Sequence, residues 1–129
     1  MFEIEKSFYF ESAHTLTHHD GKCQHLHGHS YTLQVILASN KLISSGAKTN
    51  MVLDFDDISK LVKPMIKKYF DHHYLNETLN TDSPTSEFIA QWIYHHLKPS
   101  LPTLHSITIK ETVNSRVTYC PKTFQSSIS

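Results

Sequence analysis

Histidines are the residues of this 129-residue chain whose number and spacing point to chemistry. There are 11 of them. His27 and His29 lie two residues apart in an alternating apolar run, so their rings share one face of a strand. His14 follows another such run, and it joins the other two if the strands are neighbours. Three neutral imidazoles with a fourth position open are typical of catalytic zinc, so the sequence predicts a Zn²⁺ site.

Two further residues determine what such a site could do. Gly28, between the two strand histidines, lacks a side chain and permits close backbone approach. Cys23 lies four residues before His27 in a polar, histidine-rich segment. A thiolate at that distance could reach the metal as a fourth ligand, which would close the site and make it structural. The spacing therefore leaves two alternatives open: a catalytic zinc site with a free fourth position, or a zinc-binding module without catalysis.

Composition excludes several classes of function. Lys and Arg number 12 and Asp and Glu number 12, so the chain has no net charge with neutral histidines. That balance argues against a broad nucleic-acid or membrane-surface partner. Two cysteines are too few for a disulfide framework and suit a reducing compartment. With no signal peptide and no apolar run of membrane-spanning length, we expect a cytoplasmic protein.

Hydrophobic periodicity predicts the elements that position these residues. Alternation predicts strands at residues 2–11 and 27–37. Apolar residues at helical spacing predict a helix over residues 56–69, in which Pro64 should cause a kink. A second helix is expected to begin near residues 83–85 and to end before Pro99, because proline suits a first turn and stops a helix.

Alternation returns at residues 105–111, and residues 117–119 could form a fourth strand. The order ββααββ with short links predicts an α+β fold, in which two helices cover one face of an antiparallel four-stranded sheet. We expect one domain at residues 1–120 and a polar tail at 121–129. The two open edges of such a sheet are commonly paired with another subunit, so self-assembly is expected.

Several motifs resemble the signature of the 6-pyruvoyltetrahydropterin synthase family. The matching motifs occur in the same order as in the family, and the resemblance extends over nearly the whole chain, as far as Tyr119. It is most similar to the family's bacterial branch of 6-carboxytetrahydropterin synthases, enzymes of queuosine (7-deazaguanine) biosynthesis. The matching segments are Ser12-Ala13-His14, Cys23-Gln24-His25-Leu26-His27-Gly28-His29, Leu53-Asp54-Phe55, Asp71-His72-His73-Tyr74-Leu75-Asn76, Pro84-Thr85-Ser86-Glu87 and Lys110-Glu111-Thr112.

The resemblance implies a tunnelling fold, in which the sheets of three subunits close into a barrel. Two such trimers commonly stack into a hexamer with active sites between subunits. The implied substrate is 7,8-dihydroneopterin triphosphate, and the implied reaction is a zinc-dependent lyase step. It releases acetaldehyde and triphosphate and forms 6-carboxy-5,6,7,8-tetrahydropterin. The nearest alternative is a 6-pyruvoyltetrahydropterin synthase, which eliminates triphosphate but keeps the three-carbon side chain.

The resemblance also implies roles for four residues besides the metal-binding histidines. Cys23 would be the base, Asp71 and His72 its acid–base partners, and Glu111 the anchor of the pterin ring. Without the resemblance, Asp71 and His72 would indicate only a helix C-terminus, and Glu111 a solvated carboxylate at a strand end. The triphosphate-binding cations stay open, with three candidates: Lys22, Lys110 and Arg116.

Overall fold

The structure is a computed structural model that describes residues 1–18, 20–21 and 25–121. It contains five strands and three α-helices, and a π-helical turn (Ile66–Phe70) directly follows the first helix. In chain order the elements are β1 (Phe2–His14), β2 (His27–Ser39), α1 (Phe55–Met65), β3 (His73–Tyr74), α2 (Leu75–Thr78), α3 (Ser86–Leu97), β4 (Leu104–Lys110) and β5 (Arg116–Tyr119).

The strands form one mixed sheet in the order β3-β1-β2-β4-β5. The α+β class and the four long antiparallel strands agree with the sequence prediction, but the prediction of only four strands is wrong. The fifth strand, β3, runs parallel to β1 and pairs its two residues with Ser12 and Ala13. It is too short to produce an alternating pattern, so hydrophobic periodicity could not detect it. The short helix α2 escaped prediction for the same reason.

The pairing of β1 with β2 sets the inner face of the sheet. Phe10 lies opposite Tyr31 and Phe8 opposite Leu33. These four side chains are buried in the core beneath the helices. Because side chains alternate along each strand, residues of the same parity continue this face toward the far end of the hairpin. There the apolar side chains are replaced by polar ones.

Helix α1 and the turn after it lead the chain back to the edge of the sheet. The carboxylate of Asp54 caps α1 by accepting a hydrogen bond from the Asp56 N–H. Pro64 lies inside the helix and has no N–H for the carbonyl of Lys60. Two residues later the α-helix gives way to the π-helical turn, which ends where the Asp71 N–H donates to the Ile66 carbonyl at 2.8 Å. The predicted helix therefore exists but changes type near Pro64.

Helix α3 covers β4 and β5 on the inner face. The Thr85 hydroxyl caps it by accepting a hydrogen bond from the Phe88 N–H at 3.1 Å. Its buried side, which includes Ile89 and Ile93, packs into the core with Ile107 and Ile109 of β4. Within the described residues, no helix has the length and apolar character needed to cross a membrane.

Candidate functional site

The three histidines converge where the β1–β2 hairpin ends. His14 is the last residue of β1 and lies opposite His27, and His29 lies opposite Ser12. All three have the parity of the inner face, so their rings continue the line of Phe10 and Tyr31. One ring nitrogen from each of the three lies within 4.8 Å of the others. The strand pairing predicted from spacing is therefore present, and the set could hold a metal ion.

Backbone carbonyls orient two of the rings. The Nδ1 of His14 lies 2.9 Å from the carbonyl oxygen of Pro84, and the Nδ1 of His27 lies 2.6 Å from that of His25. A carbonyl only accepts hydrogen bonds, so each Nδ1 donates, and in the neutral form of each ring the lone pair then lies on Nε2. The two Nε2 atoms are 2.9 Å apart. Lone pairs facing each other in this way are stabilised by a cation, and partners of this kind are typical of metal-binding histidines.

The surroundings keep the His14 ring neutral. The residue is 2% exposed, and burial lowers the pKa of His14. The neighbouring rings of His27 and His29 lower that pKa further, although the hydrogen bond to Pro84 opposes them. A neutral imidazole is the form that binds metal, and nitrogen ligands favour transition metals and zinc over magnesium or calcium. The donor set therefore fits a borderline divalent metal.

Glu111 connects the histidines to a neighbouring cavity. It follows the last residue of β4, and its Oε2 lies 3.8 Å from Nε2 of His29. Its Oε1 accepts a hydrogen bond from the Ser86 hydroxyl at 2.6 Å, which holds the carboxylate in place. The cavity measures about 320 Å³ and is lined by Glu111, Ser86, Thr85 and Leu16 among others. A planar ligand in this cavity would meet the carboxylate beside the histidines.

Asp71 and His72 form a hydrogen-bonded pair at the edge of the sheet. The Nδ1 of His72 lies 3.0 Å from Oδ2 of Asp71, and Oδ1 of Asp71 accepts the Glu11 N–H at 3.0 Å. That backbone hydrogen bond, with the one from His72, lowers the pKa of Asp71. The backbone of His72 has a φ of 60°, and its side chain is 78% exposed. The Asp71–His72 hydrogen bond is therefore present within one copy, but the imidazole is exposed to solvent.

The pair does not lie in the cavity beside Glu111. His72 lines a groove together with Glu11, Ser30 and also His29, whose ring lies with the other two histidines. The side chains of Glu11 and Ser30 lie on the opposite face of β1 and β2 from those of Ser12 and His29. The groove measures about 440 Å³. The chain thus brings the three histidines and Glu111 together and leaves Asp71 and His72 at a separate edge.

Of the four remaining candidate residues, one lines the cavity beside Glu111, one does not, and two lie outside the described residues. The two outside are Cys23, the predicted base, and Lys22. Arg116 lines the cavity beside Glu111 and pairs across the β4–β5 hairpin with Lys110, which does not line it. Sequence reasoning assigned no role to Ser86 or to the Pro84 carbonyl. Both lie in the motif at residues 84–87, but their partners are 25 and 70 residues away along the chain.

Comparison with known proteins gives consistent matches over nearly the whole chain. A family model described as 6-pyruvoyl tetrahydropterin synthase matches residues 3–122. A Synechocystis protein named 6-carboxy-5,6,7,8-tetrahydropterin synthase is 46% identical over 120 residues, which cover 92% of this chain and 93% of the relative. A Haemophilus influenzae protein of the same name is 38% identical over 140 residues, covering 92% and 99%.

The fold has a similar match among solved structures. The 6-pyruvoyl tetrahydropterin synthase of Caenorhabditis elegans superposes with a TM-score of 0.78 and is 27% identical. The match covers 94% of this chain and 96% of that one. Sequence and structure comparisons therefore extend across the same elements that hold the three histidines and Glu111.

Proposed function

Since the chain belongs to the 6-pyruvoyl tetrahydropterin synthase family, we propose that it is a zinc-dependent lyase of pterin metabolism. It converts 7,8-dihydroneopterin triphosphate to 6-carboxy-5,6,7,8-tetrahydropterin and releases acetaldehyde and triphosphate. The observation that carries the proposal is the convergence of His14, His27 and His29 beside the carboxylate of Glu111. The names of the Synechocystis and Haemophilus relatives support the choice of product.

His14, His27 and His29 would hold the zinc ion. Zinc bound there would act as a Lewis acid that polarises the hydroxyl oxygens of the substrate side chain and acidifies the carbons that carry them. The protein contributes the orientation of the rings, through the carbonyls of Pro84 and His25. Burial of His14 supports the same role, because its ring is held neutral.

Glu111 would anchor the pterin ring. Its carboxylate can accept two parallel hydrogen bonds from the amino-pyrimidinone edge, the geometry in which a carboxylate accepts paired donors. The Ser86 hydroxyl holds Oε1 through one hydrogen bond, and each carboxylate oxygen has a second acceptor site. The cavity beside Glu111 offers room for the ring, and His29 lies on the side from which the substrate's hydroxyls would extend.

Proton transfer would involve Cys23, Asp71 and His72. Cys23 lies in the sequence between His14 and His27, so the proposed base and two of the proposed metal ligands belong to one stretch of the chain. Asp71 orients the ring of His72, whose Nδ1 lies 3.0 Å from Oδ2 of the carboxylate, and an oriented imidazole can act as a proton carrier. Because His72 is exposed and does not line the cavity beside Glu111, we propose that the pair serves the site of a neighbouring copy.

The same proposal includes a homo-oligomer with the tunnelling fold, a trimer or a hexamer. Two sheet edges support it: most of β1 beyond its short pairing with β3, and the outer side of β5. We further propose that residues 1–120 form the single domain, with 121–129 as a tail. A cytoplasmic location and a place in queuosine biosynthesis extend the resemblance to the bacterial branch.

The decisive experiment is product analysis with the zinc-loaded protein and 7,8-dihydroneopterin triphosphate. Mass spectrometry should find 6-carboxytetrahydropterin together with acetaldehyde. A pterin that retains its three-carbon side chain would instead assign the chain to 6-pyruvoyl synthase activity. The Cys23→Ala variant separates catalysis from a structural metal site, because we expect it to keep its zinc and lose turnover. Loss of zinc in that variant would favour a non-catalytic module with Cys23 as a ligand.

A further inference from the structure

The segment from Tyr74 to Pro84 holds the end of β1 at four points. The Pro84 carbonyl accepts from His14, and the Asp82 carbonyl accepts a hydrogen bond from the Thr17 N–H at 3.2 Å. The hydroxyls of Tyr74 and Thr15 are 2.6 Å apart. The fourth contact, from Asn76 to Thr15, uses two hydrogen bonds. Together these contacts restrain residues 14–17, which comprise the first candidate metal ligand and the three residues after it.

Asn76 binds the backbone of Thr15 as a neighbouring strand would. Its Oδ1 accepts the Thr15 N–H at 2.9 Å, and its Nδ2 donates to the Thr15 carbonyl at 2.8 Å. Nδ2 also donates to the Asp82 carbonyl, with an N···O distance of 3.4 Å. The amide is not used to cap its own helix, since α2 begins after Tyr74 without a side-chain cap. Every polar atom of this half-buried side chain therefore serves the chain next to His14 and the loop at Asp82.

We propose that Asn76 is a positioning residue for the metal site. Thr15 adjoins His14, so the two hydrogen bonds that fix the backbone of Thr15 also restrict the orientation of the His14 ring. Asn76 touches neither metal nor substrate; it acts through Thr15. This inference rests on the proposed function, because it takes the three histidines as metal ligands.

The test compares the Asn76→Ala variant with the native protein. We expect its zinc affinity, measured by competition with a chromophoric chelator, to fall about 10- to 100-fold, as for other residues that orient metal ligands. With metal saturating, kcat should fall while KM changes little, because the Glu111 anchor is untouched. The Co²⁺-substituted variant should show an altered d–d absorption spectrum, which a purely structural loss elsewhere would leave unchanged.

A matched control lies on the same short helix. The Thr78 hydroxyl donates to the Tyr69 carbonyl at 2.7 Å, a half-buried contact away from β1. Thr78→Val should lower stability like the Asn76 variant but leave zinc affinity and the Co²⁺ spectrum at native values. If Asn76→Ala fails to fold, Tyr74→Phe replaces it, since it removes only the hydroxyl contact to Thr15 and should weaken zinc binding in the same direction.

Native zinc affinity in Asn76→Ala, or an equal loss in Thr78→Val, would refute the positioning role. These measurements need no turnover. A native protein that binds zinc through the histidines but forms no product from 7,8-dihydroneopterin triphosphate would overturn the proposed function and still leave the role of Asn76 testable.

Discussion

The site depends on which atoms of each residue are already used by the backbone. Carbonyl oxygens take the Nδ1 hydrogens of His14 and His27, which directs both Nε2 atoms to one point. In the same way the Ser86 hydroxyl donates a hydrogen bond to Oε1 of Glu111, while Oε2 of Glu111 faces His29. A histidine or a carboxylate is versatile by itself. Its partners determine whether it acts as a ligand, an anchor or a proton carrier.

The pKa of Asp71 leads to a prediction about acid stability. Its carboxyl has a lowered pKa, chiefly because it accepts the Glu11 N–H, so the ionised form stabilises the folded state. This stabilisation is fully present above the ordinary value of 3.8 and is lost as pH falls through the lowered folded-state pKa. Thermal unfolding of native protein and Asp71→Asn, followed from about pH 5 downward, should show a shallower decline of Tm in the variant.

A carboxylate without these partners provides the control. Glu3→Gln changes an exposed side chain near the opposite end of β1, and its Tm should follow the native pH profile. Identical profiles for native protein and Asp71→Asn would mean that the Glu11 and His72 contacts do not stabilise the ionised form.

Most of the functional side chains lie at or next to the end of an element; His29, inside β2, is the exception. His14 ends β1, His27 begins β2, Glu111 follows β4 and Ser86 begins α3. A strand or helix fixes the direction of the backbone up to its last residue, and the side chain there can face a cavity without breaking the ladder behind it. The π-helical turn has a comparable effect at the edge, since it ends at Asp71 and delivers His72 with a left-handed backbone.

The N-terminal cap of α3 provides a prediction about a single helix. Thr85→Ala removes the hydroxyl that accepts the Phe88 N–H, and the loss should cost about 0.5–2 kcal/mol of folding stability. Thr85→Ser keeps the acceptor and should stay near the native value. Urea denaturation measures both variants. An alanine variant as stable as the native protein would show that the cap contributes nothing to the start of α3, where Ser86 holds Glu111.

At the scale of the whole molecule, one copy carries the parts of the proposed site on separate surfaces. Glu111, beside the three histidines on the inner face, lines one cavity. His72 lies at the β1 edge and lines a different groove, which His29 also lines. Among the described residues, most of the β1 edge and the outer side of β5 have no partner strand, and such edges offer a way to join the two surfaces across copies. A head-to-tail contact between unlike edges gives a closed ring when the rotation closes.

A shared site predicts that two inactive variants rescue each other. His27→Ala should disable the metal site, and His72→Ala should disable the proton-transfer pair. If each active site combines histidines of one copy with the pair of another, random mixing in equal amounts restores about one quarter of the sites. Activity is measured after joint unfolding and refolding, with each variant treated alone as the control.

Mixed oligomers without any restored activity, verified as mixed by native mass spectrometry, would show that each copy uses its own pair. A monomeric native protein in analytical ultracentrifugation would contradict the shared site directly, because no second copy would be present to complete it.

The sequence by itself determined the three metal-binding candidates and the four long strands, because both follow from a local rule. Alternation along a strand places His27 and His29 on one face and predicts which apolar residues are buried. Apolar residues at helical spacing similarly predicted the two main helices, and Pro84 indicated where the second begins. The motifs that resemble the pterin synthase family added candidate roles that no periodicity could supply.

Only the tertiary structure decided the contacts between distant segments. The two-residue strand β3 has no pattern of its own, and Asn76 meets Thr15 across 61 residues of chain. The tertiary structure also shows that Asp71 and His72 lie away from the cavity beside Glu111. Their position in the sequence could not indicate this. Such contacts depend on how elements pack in three dimensions, and packing is a property of the whole chain rather than of any window within it.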